Sequence, residues 1–84
     1  MKDYLELNKD LRLLIQGHTD DIGGADFNLN LSRKRAERVR EFLVKNGISE
    51  DRLTNEGLGE SRPVADNSTE AGRSQNRKIE FIVR

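Results

Sequence analysis

The sequence has no cysteine and no tryptophan, one proline and one histidine, and its aromatic residues make up only 5% of 84 positions. Without cysteine there is no disulfide scaffold, no thiolate metal site and no cysteine nucleophile. One histidine cannot supply the three or four protein ligands that zinc takes. Net charge is also missing: fifteen basic residues balance fifteen acidic ones, so no overall field draws the chain to nucleic acid or to an anionic membrane surface. No apolar run approaches the roughly 18 residues of a membrane-spanning helix, and Met1-Lys2-Asp3-Tyr4 is no secretory signal. A chain of this length buries only about 60–65% of its unfolded surface, which leaves no room for a deep enclosed active site. It carries no internal repeat, low-complexity stretch or linker, and a single domain over residues 1–84 is expected.

What is present is periodic. Leu11, Leu13 and Ile15 recur at the spacing of a strand, predicted over Leu11 to Gln16. The run Gly17-His18-Thr19-Asp20-Asp21-Ile22-Gly23-Gly24 reads as a loop. A long helix follows from about Asp26 or Phe27 to Asn46, with Asp26 as N-cap and Gly47 as the C′ glycine. On its wheel Leu31, Arg35, Val39 and Phe42 share one arc, which sets Arg35 in the middle of the apolar stripe. A buried guanidinium needs a counter-charge, and Asp20, in the loop that follows the strand, is the expected partner. Asn28 lies on the same side of the wheel, two turns earlier.

Further along, Ser49 caps a tight connection into a weaker strand over Arg52 to Glu56, and Thr69 to Gln75 forms a short helix. The final strand, Lys78 to Arg84, alternates Ile79, Phe81 and Val83 with Lys78, Glu80 and Ile82. Lys2 to Asn8 has the character of a helix tail. The run Gly57-Leu58-Gly59 superficially suggests a dinucleotide fingerprint, but the third glycine is absent and Pro63 interrupts the helix that would bind a pyrophosphate. His18 beside Asp20 is expected to be a hydrogen-bonded structural residue.

The ordered set Ile15-Gln16-Gly17-His18-Thr19-Asp20, Gly23, Asn28, Leu31-Ser32-Arg33-Lys34-Arg35-Ala36, Gly57-Leu58-Gly59-Glu60, Arg62-Pro63, Gly72-Arg73 and Asn76-Arg77 closely resembles one family. It is the peptidoglycan-binding domain at the C-terminus of outer membrane protein A, which also occurs in the peptidoglycan-associated lipoprotein and in the flagellar stator protein MotB. The resemblance covers about Leu11 to Arg84 and is nearest to the outer membrane protein A branch. It implies an α/β fold (an α+β sandwich of βαβαβ type) whose small mixed sheet is covered by helices on one face, with the family's opening strand and part of its first helix missing here.

The same resemblance implies a function. Asp20 would accept hydrogen bonds from the ammonium, and Arg35 would grip the carboxylate, of the diaminopimelate in a peptidoglycan stem peptide. Asn28 and Arg77 match further site positions, with Thr19 and Asn76 as secondary members. Lys78 replaces the second arginine of the family's Asn-Arg-Arg signature, which removes any forked contact there. The implied role is noncovalent anchoring of the outer membrane or an envelope complex to the cell wall. It places the protein in the periplasm, with no cofactor, no metal, no nucleic acid and no membrane insertion by this chain. If the opening strand is absent, the bare sheet edge is expected to pair with a second copy.

An enzyme is the poorer fit. His18 and Thr19 are sequence neighbours whose side chains diverge on a strand, and an Asp20 committed to an arginine would stay ionised rather than act as an acid. A second alternative is a cytoplasmic nucleic-acid-binding or protein-interaction α/β domain using Arg33, Lys34, Arg38, Arg40 and Lys45. Net neutrality and the scarcity of aromatics weigh against it.

Overall fold

The computed structural model describes residues 10–84. The expected helix tail over Lys2 to Asn8 lies outside the described residues. Strand β1 spans Leu13–His18, helix α1 Ala25–Lys45, strand β2 Leu53–Gly59, helix α2 Glu70–Asn76 and strand β3 Ile79–Val83; a single 3-10 turn, Glu50–Arg52, leads into β2. The result is a small α+β architecture with a mixed three-stranded sheet. Its strand order is β2-β1-β3, with β1 parallel to β2 and antiparallel to β3.

Strand β1 is central, and all six of its residues are buried. Leu13 and Ile15 point to the side covered by α1 and form the core with Ala36, Leu43, Ile48 and Leu53. A strand buried on both faces needs no polar alternation. That is why the strand runs two residues beyond the expected end at Gln16 and absorbs Gly17 and His18.

Close approach of α1 to the sheet explains the glycines. A Cβ on Gly17 would sit 2.1 Å from the Ser32 carbonyl oxygen, and one on Gly57 would sit 2.4 Å from the Arg33 nitrogen. Any side chain at either position would push the helix away. Gly57 and Gly59 therefore lie within β2, which runs beyond the expected end at Glu56.

The helix presents a different stripe from the one the large apolar residues outlined. Asn28, Ser32, Ala36 and Leu43 are its buried residues, whereas Phe42 is 61% exposed. Small side chains can enter the narrow gap above the glycines and bulky ones cannot. Arg35 consequently sits half-buried at the margin of this stripe rather than at its centre. Gly24, not Asp26, is the N-cap; Asp26 lies in the first turn, where its charge favours the helix N-terminus. At the other end Gly47 takes φ +98°, as the C′ role requires.

Thr69 caps α2, its hydroxyl accepting from the Gly72 N–H at 3.0 Å. Ile79, Phe81 and Val83 face the same side as Gly17, Ile15 and Leu13, with which they pair. Phe81 and Val83 nevertheless remain partly exposed, because β3 is an outer strand of the sheet among the described residues.

Candidate functional site

The C-terminal end of β1 carries the site. The register between β1 and β2 slips after Gly17, so that His18 pairs with Gly59. The Thr19 N–H then donates to the Gly59 carbonyl at 2.9 Å. This slip re-aims the chain as it leaves the sheet. Thr19 and Asp20 stay buried just beyond it, with the Thr19 hydroxyl donating to the Asp20 carbonyl at 2.9 Å. Helix α1 supplies Asn28, whose Nδ2 also donates to that carbonyl, at 3.3 Å, and reaches Glu60 Oε1 at 3.5 Å. Two side chains thus fix the backbone that holds the Asp20 carboxylate.

Around this point lies an open cleft of about 410 Å³, lined by Thr19, Asp20, Asn28 and Arg35, by Ile22, Phe27 and Leu31, and by Glu70, Arg73 and Arg77 from α2 and its C-cap. Five of the six site residues inferred from the sequence therefore converge. The sixth, Asn76, does not line the cleft. It is fully buried, its Oδ1 accepting from the Val64 and Ala65 N–H groups at 2.7 and 3.0 Å and its Nδ2 donating to the Ala65 carbonyl and Asn67 Oδ1. Asn76 shapes the loop before α2, so its influence on the cleft is indirect, through Arg77 beside it and through Asn67, whose carbonyl holds Arg73.

The expected pairing of Asp20 with Arg35 is not what forms. Asp20 Oδ2 accepts from Arg77 Nη1 at 2.8 Å, and Asp20 Oδ1 accepts from the Ile22 N–H at 3.0 Å. These two bonds, the Arg77 one foremost, hold the Asp20 carboxyl below its ordinary titration range. Arg35 lines the same cleft yet has no hydrogen bond or ion pair among the described residues. The buried stripe of α1 is rotated away from Arg35, which removes the need for an internal counter-charge.

Sequence reading passed over Glu70 and, as a site residue, Arg73. Arg77 Nη2 donates to Glu70 Oε1 at 2.6 Å, and Arg73 Nε donates to Glu70 Oε2 at 3.3 Å. Arg73 is held further by the Asn67 carbonyl at 2.9 Å. The signal was available: positions 70, 73 and 77 repeat at helical spacing and so share one face of α2. Both Glu70 and Arg77 are shifted toward their charged forms by this contact.

His18 is buried, but among the described residues neither ring nitrogen has a hydrogen-bond partner, where a hydrogen-bonded residue was expected. Its nearest charged neighbour is Glu80, with 3.8 Å between Nε2 and Oε1. Burial pushes its pKa down, Glu80 notwithstanding. Among the described residues no group of acidic or histidine side chains could hold a metal ion, and no helix is long and apolar enough to cross a membrane. Of the basic residues on α1, Arg33 pairs with Glu37, and Arg40 donates to the Leu53 and Glu50 carbonyls.

Known proteins are similar to this chain in sequence and in fold. Outer membrane porin F of Pseudomonas fluorescens is 48% identical over 83 residues, covering 99% of this chain and 26% of that protein. The peptidoglycan-binding protein ArfA of Mycobacterium tuberculosis is 40% identical over 81 residues, covering 96% of this chain and 25% of its own length. The chain thus spans about a quarter of the length of these relatives. The crystal structure of the peptidoglycan-associated lipoprotein from Burkholderia pseudomallei superposes with a TM-score of 0.94 at 36% identity, over 99% of this chain and 70% of that one. A MotB-like protein of Desulfovibrio vulgaris gives 0.88 at 31% identity, over 99% and 54%. The model of the OmpA family matches residues 1–77, and the chain belongs to that family.

Proposed function

We propose that this domain binds peptidoglycan noncovalently through the diaminopimelate of the stem peptide, and that it is a binding module and not an enzyme. The carrying observation is the cleft in which the Asp20 carboxylate and the Arg35 guanidinium, which has no partner among the described residues, are both present. An amino acid's two charged ends need one group of each sign, and the forked Arg35 suits a carboxylate. Asn28 and Arg77 position Asp20, and Ile22, Phe27 and Leu31 offer apolar surface to the methylene chain between the ligand's ends. Relatives named as peptidoglycan-binding or peptidoglycan-associated support the reading. Relatives named as outer membrane proteins and lipoproteins support a periplasmic location at the outer membrane and cell wall, where the domain anchors its parent protein.

Calorimetric titration with a diaminopimelate-containing stem peptide tests this. Binding that Asp20→Ala and Arg35→Ala each weaken at least tenfold is expected, and undiminished binding in both variants would overturn the assignment. The reading extends to assembly. The outer edge of β3 has no strand partner among the described residues, and Phe81 and Val83 beside it are partly exposed. A second copy pairing there would cover them. A dimer mass by light scattering supports that pairing, and a strict monomer at all concentrations contradicts it.

A further inference from the structure

The two carboxylates of the cleft are held in different ways. Asp20 is buried and tied to the backbone N–H of Ile22 as well as to Arg77. Glu70 has a side chain 66% exposed, and among the described residues only guanidiniums hold it: Arg77 Nη2 at 2.6 Å and Arg73 Nε at 3.3 Å. An exposed carboxylate in such pairs can rotate into water at little penalty. While it stays, it fills the donors that an incoming carboxylate would use. Arg77 already spans Asp20 with one Nη and Glu70 with the other, and Arg35 alone of the three guanidiniums has no partner among the described residues.

We infer that Glu70 is an internal surrogate for the ligand's carboxylate, occupying Arg77 and Arg73 until an anionic ligand displaces it. The inference rests on the diaminopimelate reading above and names the residue that sets affinity and charge preference at that site. The incoming carboxylate meets Arg35 and gains Arg77 Nη2 once Glu70 lets go. Asp20, fixed by the backbone, stays to receive the ammonium. Three guanidiniums against two carboxylates leave one positive charge in the resting cleft, matched to one ligand carboxylate. Releasing Glu70 strengthens the hold on that group without changing the ammonium site.

Calorimetry on the wild-type chain and on Glu70→Gln tests the inference, using a stem peptide with a free diaminopimelate carboxylate and the same peptide with that group converted to a carboxamide. Removing this competing, exposed ion pair is expected to tighten binding of the free acid about fivefold, with the carboxamide unaffected. Glu70→Asp, which keeps the charge but shortens the reach to Arg77, is expected to tighten binding in the same sense. Its unfolding midpoint checks that α2 is intact. Equal or weaker binding of the free acid by both variants, or a gain shared by the carboxamide, overturns the surrogate role. Those results would still leave wild-type binding that Asp20→Ala and Arg35→Ala abolish. A wild-type chain that binds neither peptide overturns the site assignment, and the surrogate role with it.

Discussion

Asp20 and Arg77, 57 positions apart, are joined by a 2.8 Å bond from Nη1 to Oδ2, and this pair ties the end of β1 to the end of α2. In Arg77→Ala, Asp20 retains only the Ile22 N–H. Its carboxyl is then expected to titrate closer to an ordinary aspartate, as read by carbon NMR. Because the folded value is depressed, the contribution to stability is present above the unfolded pKa and is lost as pH falls through the folded one. That acid loss should shrink in the variant, and an unchanged Asp20 titration would mean that Arg77 does not govern it.

His18 makes stability depend on pH in a higher window. Burial holds its folded pKa below the unfolded value of about 6.5. Between the two values the unfolded chain binds more protons, so stability rises with pH there and falls as pH drops below about 6.5. The Glu80 and Glu56 carboxylates oppose this shift, whereas Lys78 and Arg62 reinforce it. Urea midpoints measured from pH 7.5 to 5 should decline in the wild-type chain and stay flatter in His18→Gln; identical slopes would contradict the account.

Gly57→Ala tests the close approach of α1. The new Cβ would lie 2.4 Å from the Arg33 nitrogen and 2.6 Å from Ser32 Oγ, so the helix must shift. Overpacking of this kind costs about 1–3 kcal/mol. Displacement of α1 carries Asn28 and Arg35 with it, and ligand affinity should fall together with the urea midpoint.

Asn76→Ala separates loop shaping from ligand contact. It strands the Val64 and Ala65 N–H groups and the Ala65 carbonyl, which should destabilise the fold by about 1–3 kcal/mol. Affinity of the folded fraction should change less than in Arg35→Ala. A larger loss of affinity at unchanged stability would return Asn76 to the ligand site.

The long helix and the last strand were legible within a residue or two, because glycines bound the helix at Gly23-Gly24 and Gly47 and because Ile79, Phe81 and Val83 alternate along the strand. The ends of β1 and β2 were not: Gly17 reads locally as loop and the second strand was expected to stop at Glu56, whereas the packing of α1 against Gly17, Gly57 and Gly59 carries both strands further. The site was legible as a set of residues and misread as a set of pairs. Asp20, Asn28, Arg35 and Arg77 do meet, but the partner of Asp20 comes from a helix far along the chain, which a wheel drawn on α1 cannot register. Asn76, beside Arg77 in sequence, turns inward because the loop over residues 64–67 has backbone groups that only its amide satisfies.

Mapping amide and side-chain NMR shifts during titration with a diaminopimelate-containing stem peptide tests the central claim most directly. The largest changes are expected at the Asp20 and Ile22 backbone, the Asn28 side-chain amide and the Nε–H groups of Arg35 and Arg77, and they should disappear in Arg35→Ala. Changes centred instead on the shallow groove between Leu29 and Leu58, or none at saturating peptide, would contradict it.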